Sequence, residues 1–240
     1  MTISKMQFEN QRVLIVGGTS GIGLATAKAF IDCGSDVVVA SRSPKKIEMV
    51  LGTLGKKASG YIIDIQNDQD VECAINKFGE FNHVVVSAAP SPLPIGRTNS
   101  ISMEDAINAM NTKFWGAYRI GRSVKLIHGG SLTFVSGILS IRPTKSSALL
   151  SAINAALDGL VRGLALELEP TRVNSVSPGI LTSAAILANM TEEQRLEVIN
   201  KLPVKKIGTP ELIAEAILFL AGNPYVTGSN LVIDGGKSLV

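Results

Sequence analysis

Short runs of β-branched and aliphatic residues alternate along the chain with longer stretches whose apolar positions recur at i, i+3 and i+4. The runs are Val13–Val16, Val37–Ala40, Tyr61–Ile63, His83–Val86, Ser131–Val135, Arg172–Val176 and Asn230–Ile233. Continuous apolar runs of this length predict strands buried on both faces. The periodic stretches 22–33, 44–54, 68–78, 103–126, 149–168 and 211–221 predict helices. Strands alternating with helices make a parallel sheet, and right-handed crossovers wind it into a doubly wound, Rossmann-type α/β domain with seven strands over residues 1–240. Two segments interrupt this rhythm after strand C-terminal ends: Pro90-Ser91-Pro92-Leu93-Pro94 and an insertion around 183–203. Ligands of open α/β sheets bind at those ends, so both are expected to be substrate-side loops.

Composition narrows the function classes. Of 240 residues, 45% are hydrophobic and 18% charged, which excludes a disordered chain. No apolar run approaches the ~20 residues of a bilayer span, so no membrane partner is expected. Lys5, Glu9 and Arg12 leave no apolar block at the N-terminus, and no secretory leader is expected. A scattered net charge of +3 gives no footprint for nucleic acid. Two cysteines, Cys33 and Cys73, are too few for a disulfide scaffold and fit a reduced, cytoplasmic protein. No metal site is expected, and the partner read from the cleft is a small-molecule substrate.

The first strand runs directly into Gly17-Gly18-Thr19-Ser20-Gly21-Ile22-Gly23 and a helix. Glycine serves where the backbone turns sharply or must approach a pyrophosphate closely. Gly17 and Gly21 suit those tasks, while Gly23 lets the helix lie close on the sheet. The helix start presents unpaired N–H groups, from Thr19 through Gly23, to phosphates.

The Gly-x-x-x-Gly-x-Gly spacing resembles that of the short-chain dehydrogenase/reductase family, and the resemblance continues to the C-terminus. Asp64, followed by Ile65, resembles that family's adenine-contacting acid, and Asn111 lies where its helix carries an active-site asparagine. Arg172-Val173-Asn174-Ser175-Val176-Ser177-Pro178-Gly179 resembles its strand and turn beside the nicotinamide. Pro210–Ala214 and Val226–Gly236 resemble its last helix and strand. The resemblance implies that Ser87, Ala88 and Ala89 let the cofactor ribose pass close to the backbone. It also implies that Pro178, Gly179, Ile180, Thr182 and Ser183 meet the carboxamide or a phosphate.

The second strand ends in Ser41-Arg42-Ser43, with no acid to accept hydrogen bonds from a free ribose 2'-hydroxyl. A guanidinium holds a 2'-phosphate through charge-assisted hydrogen bonds, and Ser41 and Ser43 add hydroxyl donors. The expected cofactor is therefore NADP(H).

In the family, a Tyr and, one helical turn later, a Lys come after the fifth strand, with a Ser ahead of them. Ala155-Ala156-Leu157-Asp158-Gly159-Leu160 resembles the family's segment just beyond the Lys, placing Asn154 at the Lys position, Leu150 at the Tyr position and Gly137 at the Ser position. Of the four groups that the resemblance implies, only Asn111 remains. Tyr61, Tyr118 and Tyr225 all lie off the helix after the fifth strand, and His83 and His128 read as structural. The candidate catalytic groups are Asn111, Ser136 and Asn154, with Ser151, Lys145, Ser146 and Ser147 nearby. Two readings are open: a reductase with a non-standard site acting on a small carbonyl, conjugated enone or imine, or a non-catalytic NADP(H)-binding protein. The resemblance also implies a homodimer or homotetramer packed through the two long helices, whose outer faces are expected to carry Trp115, Tyr118, Leu160 and Leu164.

Overall fold

The computed structural model describes residues 5–182 and 190–240. Its centre is one sheet of β1 (Arg12–Val16), β2 (Asp36–Ser41), β3 (Ala58–Ile62), β4 (Phe81–Val86), β5 (Leu126–Val135), β6 (Arg172–Pro178) and β7 (Asn230–Ile233). The order is β3-β2-β1-β4-β5-β6-β7 and every pair is parallel. The chain moves outward from β1 through β2 to β3, then restarts on the other side of β1 with β4. That reversal opens a crevice at the C-terminal ends of β1 and β4, the place where such sheets bind ligands.

Eight helices cover the sheet among the described residues: α1 (Gly21–Asp32), α2 (Pro44–Leu54), α3 (Asp68–Phe78), α4 (Met103–Met110), α5 (Gly116–Ser123), α6 (Ala148–Glu167), α7 (Glu192–Lys201) and α8 (Pro210–Gly222). Successive strand residues point to opposite faces. In β1, Leu14 and Val16 join Val71, Ile120, Leu157 and Val161 beneath α3, α5 and α6. Val13 and Ile15 join Phe30, Val50 and Ile217 beneath α1, α2 and α8. Both faces are therefore apolar, which is why the strands read as continuous runs.

Several expectations need correction. The helix predicted over 103–126 is interrupted by a π turn at Asn111–Trp115, where the Gly116 N–H bonds to the Asn111 carbonyl. Beyond the turn, Gly116 lies against Ile65, and a Cβ there would stand 2.7 Å from the Ile65 Cδ1. Leu126 opens β5 rather than ending a helix, and His128 lies in that strand. Leu164, expected on an outer face, is buried against Gly121, while Trp115 and Tyr118 are exposed. Among the described residues one helix, α6, is long and apolar enough by composition to cross a membrane. Its apolar character is explained by the buried row Leu150, Ile153, Leu157, Val161 and Leu164, the last three against the sheet and the first two against α4 and the π turn. Of the 183–203 insertion, the described part forms α7, started by a reciprocal cap between Thr191 and Gln194. Ser183 lies outside the described residues.

Candidate active site

The phosphate turn is built by close packing. Gly17 has φ +86°, and a Cβ on it would fall 2.6 Å from the Ala88 backbone nitrogen. A Cβ on Gly23 would fall 2.2 Å from the Gly17 carbonyl and 2.4 Å from Ser87 Oγ. Ser87 pins the turn from β4: its N–H and hydroxyl both donate to the Val16 carbonyl, at 2.8 and 3.1 Å. Gly21, at φ +50°, opens α1. Ser20 sits at the N-cap without accepting a capping bond, whereas Ser43, Asn67, Ser102 and Thr191 all cap their helices. The first N–H groups of α1 are thus left to a ligand, and the positive end of its dipole faces the crevice.

The end of β2 joins this turn. Thr19 Oγ1 donates to Ser41 Oγ at 3.4 Å, and Ser41 Oγ accepts from the Ser43 N–H at 3.3 Å. Ser43 then caps α2, so its hydroxyl is partly committed. Arg42, Lys45 and Lys46 are exposed, and the first turn of α2 holds no acid. Across the crevice, Asp64 accepts from the Gln66 N–H at 3.0 Å, shaping the turn after β3, and Ile65 is buried. At the far side the Gly179 N–H donates to the Ile233 carbonyl. The Ile180 carbonyl accepts from Gly208 and the Thr182 N–H donates back to Gly208, so these main-chain groups are already used by a short bridge to the 208 segment. The Asp234 carboxyl, which partial burial would push up, is held below its ordinary range by hydrogen bonds from Ser238 and Gly236.

Beyond β5 the polar groups converge. Ser136 is buried, and its hydroxyl donates to the Asn154 carbonyl at 3.3 Å. The Asn154 amide donates to the Gly137 carbonyl at 3.2 Å, leaving its buried Oδ1 without a partner. A Cβ on Gly137 would stand 2.8 Å from that amide nitrogen, so glycine at 137 and asparagine at 154 fit one another. Leu150, one turn before Asn154, is buried with Ala109 and Ile153 and packs against Met110, Phe114, Leu139 and Leu149. The approach is apolar there.

Asn111 does not join this group. Its Oδ1 accepts from Arg119 at 3.0 Å and its amide donates to Gln66 at 3.5 Å, while Arg119 also pairs with Asp68. In its place the π turn brings Lys113, whose Nζ donates to the Ser136 carbonyl at 2.8 Å. Burial lowers the Lys113 pKa to about 8, with Asp158 on α6 acting to raise it. Asp158 is itself buried, with Oδ1 unpartnered. Sequence reasoning missed both residues. The available signal was a charge at the apolar spacing of each helix: Lys113 between Ala109 and Ala117, and Asp158 between Leu157 and Val161.

The tyrosines lie elsewhere. Tyr61 stacks edge-on against Phe78, Tyr118 against Trp115 on the outer face of α5, and Tyr225 is exposed in the turn before β7. His83 sits at the opposite end of the sheet, between Ser131 Oγ and Gln11 Oε1, each at 2.7 Å.

The Enoyl-(Acyl carrier protein) reductase family model matches residues 16–238. The chain belongs to the short-chain dehydrogenase/reductase family. Among similar family members, the short-chain dehydrogenase/reductase ucsE of Acremonium sp is 30% identical over 96% of each chain. Carbonyl reductase family member 4 of Danio rerio is 29% identical, covering 95% of this chain and 98% of the relative. The solved MalC Reductase/Diels-Alderase from Malbranchea aurantiaca superposes with a TM-score of 0.90 at 25% identity, covering 99% of this chain and all of that one. Members of this short-chain dehydrogenase/reductase family are oxidoreductases that bind a nicotinamide dinucleotide. The glycine cradle from Gly17 to Gly23, with no room for a Cβ at Gly17, Gly18 or Gly23 and with the start of α1 uncapped, fits the pyrophosphate of such a cofactor.

Proposed function

We propose that the protein is an NADPH-dependent reductase of small carbonyl, conjugated enone or imine substrates, working without the Ser, Tyr and Lys that the family resemblance implies. The observation that carries this reading is the exposed cation group Arg42, Lys45 and Lys46 at the end of β2, with no carboxylate in residues 37–47. An acid there would repel a 2'-phosphate; a guanidinium flanked by two ammonium groups attracts one.

When bound, the cofactor supplies a hydride. The chain's own groups do the rest. Gly17, Gly21 and Gly23 admit the diphosphate, and the first N–H groups of α1 bind it. Ser87, Ala88 and the exposed Ala89 line the passage for the ribose. Asn154, at the position of the family's Lys, offers its unpartnered Oδ1 to a ribose hydroxyl while its amide holds the Gly137 carbonyl. Leu150, at the position of the family's Tyr, gives an apolar wall suited to a flat acceptor and no proton. A positioned acid is worth about 10²–10⁴-fold, so slow turnover of simple ketones is expected. The exposed Met103, Ile107, Trp115 and Tyr118 on the outer sides of α4, the π turn and α5 support a homodimer or homotetramer, which light scattering on the purified protein would size. Cys33 and the exposed Cys73 are thiols rather than a disulfide pair, which fits a reducing cytoplasm.

The test is a titration with NADPH and NADH, followed by a panel of ketones, enones and imines. NADPH should bind more tightly and be oxidised by at least one acceptor class. Tight binding with no oxidation by any acceptor would make the protein a non-catalytic NADP(H) binder.

A further inference from the structure

The polar cluster past β5 includes a buried ammonium that comes from an unexpected direction. Lys113 reaches from the π turn to the Ser136 carbonyl at 2.8 Å. Ser136 in turn bonds the main chain of Asn154, and the next carbonyl, Gly137, accepts the Asn154 amide. The ammonium therefore stands within two hydrogen bonds of the unpartnered Asn154 Oδ1. Asp158 lies one turn further along α6, displaced about 6 Å along the axis. Because α6 returns from the C-terminal end of β5 to the N-terminal end of β6, that displacement carries the carboxylate away from the crevice. The carboxylate therefore lies further along α6 from the crevice than Asn154 does.

We propose that Lys113 sets which acceptors this site reduces: its ammonium favours carbonyl and conjugated-enone substrates over iminium substrates. The inference rests on the reductase reading above. In the favoured case hydride adds to the carbonyl carbon or to the β-carbon of the enone. The displaced π electron pair moves to oxygen, giving an alkoxide or enolate that then takes a proton from water. In the disfavoured case hydride adds to the iminium carbon and the electron pair neutralises nitrogen, with no proton required. The first reaction builds negative charge beside Lys113, and the second begins with a cation placed beside it. At an effective dielectric near 20, a unit charge a few ångströms from a developing oxyanion is worth on the order of 100-fold in rate.

The neighbours leave this charge available. Among the described residues, Asp158 on α6 is the carboxylate that acts on it. Arg119 on α5 is turned to Asp68, Glu104 and Asp105 on α4 are exposed, and Arg162 on α6 is exposed. The β5 end contributes only the Ser136 carbonyl. Loss of the Lys113 proton above about pH 8 should therefore erase the preference.

The experiment compares kcat/KM for 2-cyclohexenone and for a permanently charged N-methyl-dihydroisoquinolinium, with NADPH, from pH 6 to 9.5. The enone-to-iminium ratio should fall about 100-fold in Lys113→Met and stay within a few-fold in Lys113→Arg. In the wild type it should decline above pH 8, and in Lys113→Arg it should not, because guanidinium keeps its proton. Circular dichroism and NADPH titration check that each variant folds and binds. A second readout needs no turnover: the ¹³Cε resonance of Lys113 should titrate near pH 8, vanish in Lys113→Met and move to lower pH in Asp158→Asn. An unchanged ratio in Lys113→Met, or a Lys113 that titrates at an ordinary lysine value, overturns the inference and leaves the reductase reading standing. If the wild type binds NADPH and no member of the ketone, enone and imine panel oxidises it, the reductase reading falls and this inference with it.

Discussion

The two ends of the sheet treat buried polar atoms in opposite ways. At the N-terminal end, His83 has both ring nitrogens bonded, and the Arg172 guanidinium donates to the Leu220 and Ala221 carbonyls at the end of α8. Phe8 and Phe30 close over the imidazole. At the C-terminal end, Asn154 Oδ1 and Ser177 Oγ are buried with no partner, and the start of α1 lacks a side-chain cap. Buried polar groups are almost always satisfied, so a cluster of orphans marks a place that a ligand completes. One end is finished by the chain itself and serves stability. The other is finished by the molecule that binds there and serves function.

The strongest way to break this contrast is Gly23→Val. Its Cβ would press on the Gly17 carbonyl and Ser87, so NADPH affinity should drop at least 100-fold by fluorescence titration. Retained affinity would mean that the glycine turn is not the phosphate site. Next in size is the acid response of the finished end. Burial, aided by the Arg172 charge, lowers the His83 pKa from 6.5 to about 4. Between those values the unfolded chain takes up a proton that the native state refuses. Stability from this residue is complete above pH 6.5 and is lost as the pH falls toward 4, by about 3 kcal/mol at ~1.4 kcal/mol per unit. Urea unfolding of His83→Gln should show a flatter profile over that range, with NADPH affinity at pH 7.5 unchanged.

Arg42→Ala should weaken NADPH binding about 10- to 30-fold, the loss of one charge-assisted bidentate contact of ~1.5–2 kcal/mol, and leave NADH binding unaltered. Equal loss for both cofactors would remove the 2'-phosphate from the account. The smallest effect expected is that of Tyr118→Phe, under twofold on turnover, since that phenol packs on Trp115 away from the crevice. A large loss there would place an acid where the structure has none.

Legibility in the sequence divides along the same line. Leu14/Val16 and Val13/Ile15 announced a strand with two apolar faces, and Gly17 through Gly23 announced a turn, because local spacing alone dictates both. Lys113 was hidden because its placement depends on the π turn, which shifts the helical phase and was invisible in an apolar periodicity that continued through it. Asn111, assigned to the site through the family resemblance, opens that turn and is hydrogen-bonded to Arg119 and Gln66. Leu164 looked like surface because the room for it comes from Gly121, distant in sequence.

The central claim is that the incomplete end of the sheet is completed by a 2'-phosphorylated nicotinamide dinucleotide. Isothermal titration of the wild-type protein with NADPH and with NADH measures it directly. The account predicts one NADPH per chain, bound at least tenfold more tightly than NADH. Equal or tighter binding of NADH, or no heat with either nucleotide, would contradict it.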